Sequence, residues 1–257
     1  STCNPNANSI TATTFNGALS GTATNATNTA ITATATNATY YPTFVSATSG
    51  NLPQLVDTNF TYNPSNGDIS IPNTVKASAN ALVANSAFGF NAGLNSQGNF
   101  ACAIGVNAGS TTQGQSSVAI GNNAGNLSQA GNSIAIGNVA GKTTQGGGSV
   151  AVGWLSAETA QGINSVAIGT NAGNANQGLN AVSIGVNAGQ TTQGNGSVAI
   201  GVDAGRTSQL SGVAVGNNAG VTNQGLYATA IGRQAGTTSQ GTSSVSVGYL
   251  AGNNTQG

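Results

Sequence analysis

The chain contains very little charge and lacks two residue types altogether. Of its 257 residues four are basic and four acidic, so 3% are charged, and there is no His and no Met. Globular domains carry charge on about a quarter of their residues. The usual acid–base pairs, Ser-His-Asp sets and His/Cys metal sites need His or paired carboxylates, and here the carboxylates stand singly. We therefore predict a protein that is not an enzyme and that binds no metal or cofactor.

The balance of charge also excludes broad classes of partner. Lys76, Lys142, Arg206 and Arg233 offset Asp57, Asp68, Glu158 and Asp203. Because no basic patch is present, we predict no binding to nucleic acid. No apolar run approaches the ~20 residues of a membrane span, so we also predict no membrane insertion. The chain opens without Met or a signal peptide and stops just after a complete repeat, so we expect a processed protein or part of a longer one.

Cysteine and proline are scarce as well. Cys3 and Cys102 lie in different regions and form no disulfide framework, so they do not indicate a redox compartment. All five prolines lie at or before Pro72. The rest of the chain is therefore free of the residue that interrupts a continuous ladder of backbone hydrogen bonds.

From residue 86 to 257 the chain repeats one motif of the form S-V-A-I-G-x-N-A-G eleven times. The glycine that ends each S-V-A-I-G run is the anchor of its copy. The anchors are sixteen residues apart, with one step of fifteen: Gly89, Gly105, Gly121, Gly137, Gly153, Gly169, Gly185, Gly201, Gly216, Gly232 and Gly248. A fixed short period rich in Gly, Asn and β-branched residues predicts a stacked β-solenoid.

Two apolar columns precede the anchors. The isoleucine column comes directly before them: Phe88, Ile104, Ile120, Ile136, Val152, Ile168, Ile184, Ile200, Val215, Ile231 and Val247. The valine column lies two residues earlier: Ser86, Cys102, Val118, Ile134, Val150, Val166, Val182, Val198, Val213, Thr229 and Val245. Period-two spacing puts both columns on one face of a short strand. We predict that this face is the interior of the coil and that Cys102 is a small buried hydrophobe there.

Between the two apolar columns lies a column of small residues, here called the alanine column. It comprises Ala87, Ala103, Ala119, Ala135, Ala151, Ala167, Ser183, Ala199, Ala214, Ala230 and Ser246. On the prediction above it points outward, where uniformly small residues favour close contact between chains over a solvent face. Association would also compensate for the small core of a sixteen-residue coil. We therefore predict that the alanine column is an inter-subunit packing surface.

Glutamine recurs in every copy, eight residues after the anchor: Gln97, Gln113, Gln129, Gln145, Gln161, Gln177, Gln193, Gln209, Gln224, Gln240 and Gln256. Coils in such a stack lie roughly 4.8 Å apart. Equivalent amides can then hydrogen-bond along the stack as a ladder, as amides do in cross-β structures. The alternative is a corner residue that binds its own backbone. Lys142 and Glu158 share one column in adjacent coils, so we expect them to be neighbours on the surface.

The S-V-A-I-G-x-N-A-G repeat resembles the head repeat of trimeric autotransporter adhesins (YadA-like head repeats), which is also found in viral and phage tail-fibre proteins. The resemblance covers roughly two thirds of the chain. It implies a left-handed parallel β-roll in which three identical chains surround one axis. It also implies a fibre protein located outside the cell or on the surface of a virion.

The front third of the chain is organised differently. Residues 1–39 are rich in Thr, Ala and Asn, and we interpret them as a thin fibre shaft, with a disordered linker as the alternative. Residues 40–85 are predicted to form a small β connector module. It contains the N-P-x-x-G sequence Asn63 to Gly67, a β-turn leading into a strand, which resembles an element of phage tail fibres. Residues 86–257 form the predicted roll.

These observations favour a homotrimeric structural fibre, a stiff spacer on a virion or phage tail that supports host attachment. The alternative is a cell-surface trimeric adhesin or a self-assembling extracellular filament, with end-to-end contacts between copies. A polysaccharide-processing tailspike would need a carboxylate pair. A third class, an ice-binding solenoid, is suggested by the column Thr111, Thr143, Thr159, Thr191, Thr207, Thr222 and Thr238, although other residues interrupt it. Trp154 and Tyr249 replace polar residues and are the candidate contacts for a host glycan or protein.

Overall fold

The structure is a computed structural model that describes residues 38–40, 42–44, 55–56, 60–66, 68–70 and 85–255. Within these ranges the chain is all-β, with no helix. It divides into two units, Ser1–Val75 and Lys76–Gly257. The predicted shaft lies almost entirely outside the described residues, as do much of the connector, Cys3 and Gln256.

The described part of the first unit consists of short antiparallel pairs. Strand β1 (Thr43–Phe44) pairs with β2 (Leu55–Val56), and β3 (Thr61–Asn63) pairs with β4 (Asp68–Ser70). The predicted turn joins β3 to β4, and the backbone N–H of Ser65 donates to Oδ1 of Asn63 at 3.0 Å. The turn at Asn63 is therefore confirmed, since a side chain that accepts from the backbone two residues on favours such a reversal.

The second unit is a parallel β-solenoid, as the repeat predicts. Each coil contributes two strands of three residues. One sheet, the VAI sheet, contains β5 (Ser86–Phe88), β7 (Cys102–Ile104), β9 (Val118–Ile120), β11 (Ile134–Ile136), β13 (Val150–Val152), β15 (Val166–Ile168), β17 (Val182–Ile184), β19 (Val198–Ile200), β21 (Val213–Val215), β23 (Thr229–Ile231) and β25 (Val245–Val247). The other, the TTQ sheet, contains β6 (Asn95–Gln97), β8 (Thr111–Gln113), β10 (Leu127–Gln129), β12 (Thr143–Gln145), β14 (Thr159–Gln161), β16 (Ala175–Gln177), β18 (Thr191–Gln193), β20 (Thr207–Gln209), β22 (Thr222–Gln224) and β24 (Thr238–Gln240).

Equivalent residues of successive coils lie side by side throughout both sheets. Ala135 pairs with Ala119 on one side and with Ala151 on the other. The register is unchanged across the one fifteen-residue coil: Val198 pairs with Val213, and Gln193 pairs with Gln209. The missing residue is therefore lost from the corner between Gln209 and Val213.

The interior of the coil is lined by small residues and glutamine, not by valine and isoleucine. The alanine column is buried from Ala103 to Ser246. Its six members from Ala103 to Ser183, one in each successive coil, are 0% exposed. These alanines pack against a second alanine column, three residues after each anchor, that includes Ala108, Ala124 and Ala140. The prediction that the valine and isoleucine columns face inward is thus wrong: both point out of the coil.

The prediction of an inter-subunit alanine column is therefore wrong as well. Ala103, Ala119, Ala135, Ala151, Ala167, Ser183, Ala199, Ala214, Ala230 and Ser246 are enclosed by their own chain, and only Ala87 in the first coil is exposed. The physical reason is the narrow coil: two short sheets that enclose a row of glutamine side chains leave room opposite them only for methyl groups. Cys102, in the valine column, is half-buried on the outside and is not a core residue.

The anchor glycines make the corner after each VAI strand, here called the first corner. Gly105 has φ of +125°, and a Cβ added there would lie 2.6 Å from the carbonyl oxygen of Gly121 in the next coil. Both the backbone conformation and the close approach of the neighbouring coil require glycine. The second corner, between a TTQ strand and the next VAI strand, is shorter.

Candidate interaction surfaces

The glutamines form the ladder that the repeat predicts, and they also bind the backbone. Nε2 of Gln129 donates to the carbonyl oxygen of Val118 at 2.9 Å and to Oε1 of Gln145 at 3.0 Å. The backbone bond across the coil recurs for every glutamine from Gln97 to Gln240, whereas the link between amides is absent at some steps. Oε1 of Gln129, Gln161 and Gln224 has no hydrogen-bond partner. Ladder and backbone capture, posed as alternatives, thus occur together, and both are structural.

Two further columns support the corners, and sequence reasoning missed them. In several coils a buried serine lies two residues before the alanine column and binds the backbone of the second corner. For example, Oγ of Ser117 donates to the carbonyl oxygen of Gly114 at 2.7 Å. At the first corner, Nδ2 of Asn171 donates to Oδ1 of Asn187 at 3.2 Å, and Asn187 donates to Asp203. These asparagines adopt positive φ, which Asn tolerates better than most residues. Their regular recurrence in the sequence was the available signal.

The outward side of the VAI sheet is a continuous apolar surface, here called the apolar face. It consists of the valine and isoleucine columns, which run through all eleven strands without a charged residue. Ile136, in the middle, is 36% exposed although coils cover it above and below, and Val247 in the last strand is 62% exposed. Monomeric soluble proteins rarely leave long contiguous apolar patches open to water. This face is therefore the candidate contact surface.

The outward side of the TTQ sheet is polar and is here called the threonine face. Thr143 pairs in register with Thr159, and Thr191 with Thr207. The middle residue of each strand, such as Thr144, has positive φ and is also turned outward. Asn95, Leu127, Ala175 and Asn254 occupy the threonine position in four coils, so the array of hydroxyl groups is interrupted.

Trp154 and Tyr249 lie on the first corner, directly after their anchors. Both are strongly exposed, at 57% and 66%. Tyr249 has a partner, because the guanidinium carbon of Arg233 lies 5.9 Å from the centre of its ring. Lys142 and Glu158 are neighbours as predicted, with Nζ and Oε1 3.9 Å apart. An exposed pair of this kind contributes about 0–1 kcal/mol to stability.

In the described ranges no three His, Cys, Asp or Glu side chains come together as metal ligands. The same residues include no helix that is long and apolar enough to cross a membrane.

Comparison with known proteins adds no relative. No protein-family model, curated protein or solved structure matches the chain. The interpretation of these surfaces depends on the geometry of the solenoid itself.

Proposed function

We propose that this chain is a structural fibre protein in which three copies associate lengthwise through their apolar faces. The assembly is a stiff spacer on a virion or phage tail that supports host attachment. The number of copies and the biological setting come from the resemblance of the repeat to trimeric adhesin heads and tail fibres. The observation that carries the proposal is the pair of outward columns along the VAI sheet, which hold valine or isoleucine in every coil from Val118 to Val247 except at Thr229.

The core of a single chain supports this proposal. Its interior holds alanine, serine and glutamine, while its large aliphatic side chains lie on the surface. Burial of apolar area stabilises a protein by about 25 cal/mol per Å². A lone solenoid leaves much of that stabilisation unused, and contact between apolar faces recovers it.

The match between copies also favours self-association. Each chain presents the same ladder over a length of roughly 50 Å, the product of eleven strands and their spacing. The two columns carry no charge, so identical faces approach without electrostatic repulsion. A spacer of this kind needs a stiff structure and no reactive site, and the uniform, hydrogen-bonded coils would supply that stiffness.

The test is a pair of aspartate substitutions on opposite sheets, Ile136→Asp on the apolar face and Thr144→Asp on the threonine face. We expect Ile136→Asp to dissociate the assembly to single chains, because three carboxylates would be buried against apolar neighbours. We expect Thr144→Asp to leave its mass unchanged. Light scattering after size exclusion measures the mass, and circular dichroism verifies that both variants keep their β structure. An Ile136→Asp variant that retains the wild-type mass would refute the apolar face as the contact surface.

A further inference from the structure

The residues directly after the anchors form one column along the first corner, here called the ridge column: Phe90, Val106, Asn122, Asn138, Trp154, Thr170, Val186, Val202, Asn217, Arg233 and Tyr249. We propose that Trp154 in this column is the platform of a binding site for a neutral pyranose sugar of a glycan. The ligand would stack on the indole ring and hydrogen-bond to the polar side chains on either side. This inference rests on the proposed function only in that the ridge column stays exposed in the fibre.

The first argument is exposure. Trp154 is the only tryptophan of the chain, and it is 57% exposed on a corner whose backbone is fixed by the coils on both sides. The N–H of Asn171 donates to the carbonyl oxygen of Trp154 at 3.0 Å, and the N–H of Leu155 donates to that of Asn138, also at 3.0 Å. A large aromatic side chain on a rigid support loses little conformational entropy when it binds a ligand.

The second argument is the pair of free polar side chains in the coils on either side of Trp154. The indole N–H makes no hydrogen bond within the described part of the chain, and neither do the side chains of Asn138 and Thr170. These two residues flank Trp154 in the ridge column, one coil below and one above, at a spacing of roughly 4.8 Å. Sugars offer an apolar ring face bordered by hydroxyl groups. An indole with an amide in the coil below and a hydroxyl group in the coil above matches that chemistry.

The third argument separates this site from the contact between copies. The ridge column also contains Asn122, Asn138, Asn217 and Arg233, all exposed. Burying such groups between subunits without partners costs about 1–3 kcal/mol each. Next to Trp154, where the ridge residues are Asn122, Asn138 and Thr170, the column therefore faces water in the assembled fibre and the indole stays accessible. Other parts of the column are apolar, at Phe90, Val106, Val186 and Val202.

The charge near the ring indicates a neutral ligand. In the coil of Trp154 and the coils on either side of it, the charged residues are Lys142 and Glu158, whose Nζ and Oε1 atoms lie 3.9 Å apart and offset each other's charge. Glu158 also accepts a hydrogen bond from Nδ2 of Asn174 at 3.3 Å. Neither an acidic nor a basic sugar finds an unpaired counter-charge beside Trp154.

Intrinsic fluorescence tests this proposal, because Trp154 is the only tryptophan and reports on its own site. The full chain is titrated with lactose, maltotriose, mannotriose and tri-N-acetylchitotriose, all of which are neutral. We expect at least one of them to shift the Trp154 emission to shorter wavelength in a saturable way. In the absence of sugar, we expect acrylamide to quench this emission. If none of the four shifts the emission, or if the indole of the free protein is shielded from acrylamide, the proposal is overturned.

Variants then assign the binding by calorimetry with the sugar that responds. Trp154→Ala should weaken binding by about tenfold or more, the effect typical of removing a tryptophan from the centre of a contact. Trp154→Phe should retain part of the affinity, and Tyr249→Ala should retain all of it. Unchanged affinity in Trp154→Ala would overturn the site. The mass of each variant is measured separately, so a failure of the glycan site is distinguished from a failure of the trimer.

Discussion

The Nε2 of Gln145 donates a hydrogen bond to the carbonyl oxygen of Ile134 across the interior of the coil, at a distance of 2.7 Å. Ile134 points its own side chain outward to the apolar face, while its carbonyl group is satisfied from within. The glutamine thus replaces the large hydrophobic side chain that a wider coil would place in its core. The hydrogen bond therefore joins a side chain of the polar interior to the backbone of a residue whose side chain lies on the apolar face.

Removing this amide should destabilise the solenoid. We expect Gln145→Leu to lower the free energy of unfolding by about 1–3 kcal/mol, because it removes two buried hydrogen bonds, the one that Gln145 donates to Ile134 and the one that it accepts from Gln129. Urea denaturation measures the change. Thr143→Val, on the outer side of the same strand, is the matched control and should change stability by less than about 0.5 kcal/mol. Equal effects of the two substitutions would contradict the interior role of the glutamine.

The same position should make stability depend on pH when it carries a carboxyl group. In Gln145→Glu, burial raises the pKa of the introduced group above its usual value of about 4.3. The folded state then binds its proton more tightly than the unfolded state. Stability should be greatest below about pH 4 and should fall as the pH rises towards the raised pKa. Thermal denaturation at several pH values measures this. Wild-type protein lacks the introduced group, so a parallel pH profile in both proteins would count against burial at this position.

The alanine column should not accept larger side chains. We expect Ala135→Val to lower the free energy of unfolding by about 1–3 kcal/mol, because two added methyl groups have no space between the sheets. Ala135 is 0% exposed and lies against the second alanine column. The measurement is again urea denaturation, with Thr143→Val as the control on the surface. A stable Ala135→Val variant with altered association would instead support the outward orientation that the structure contradicts.

An anchor glycine should be irreplaceable, whereas a glycine of the second corner should not. Gly169 has φ of +126°, and a Cβ there would lie 2.7 Å from the carbonyl oxygen of Gly185. We expect Gly169→Ala to destabilise the solenoid by about 1–3 kcal/mol from the strained backbone alone. Gly147 is the control, since the nearest atom to an added Cβ is 3.5 Å away. Thermal unfolding of Gly169→Ala and Gly147→Ala compares the two, and equal midpoints would contradict the close-approach account.

Most of the solenoid could be predicted from the sequence, because its period is visible in every column. The spacing of the anchor glycines predicts the coils, and the recurrence of glutamine predicts the ladder that Gln129 and Gln145 form. The turn at Asn63 follows from ordinary turn chemistry. Because the same residue type recurs at the same position in successive copies, every copy predicts the same alignment of neighbouring coils.

The orientation of the VAI strand could not be predicted from periodicity. Alternation shows that Val118 and Ile120 share one face and that Ala119 faces the other way, but it does not show which face is inside. Hydrophobic character favours valine and isoleucine for the core, and that choice is wrong here because the coil is too narrow. The decisive signal is the combination of invariant glutamine with invariant small residues, which fit together only when both are enclosed.

The mass of the native assembly tests the central claim most directly. Sedimentation equilibrium of the wild-type chain at several concentrations should give three times the 24.7 kDa mass of one chain, because the apolar faces of three copies cover one another. A mass of 24.7 kDa at every concentration, with Ile136 and its column left in water, would contradict the account.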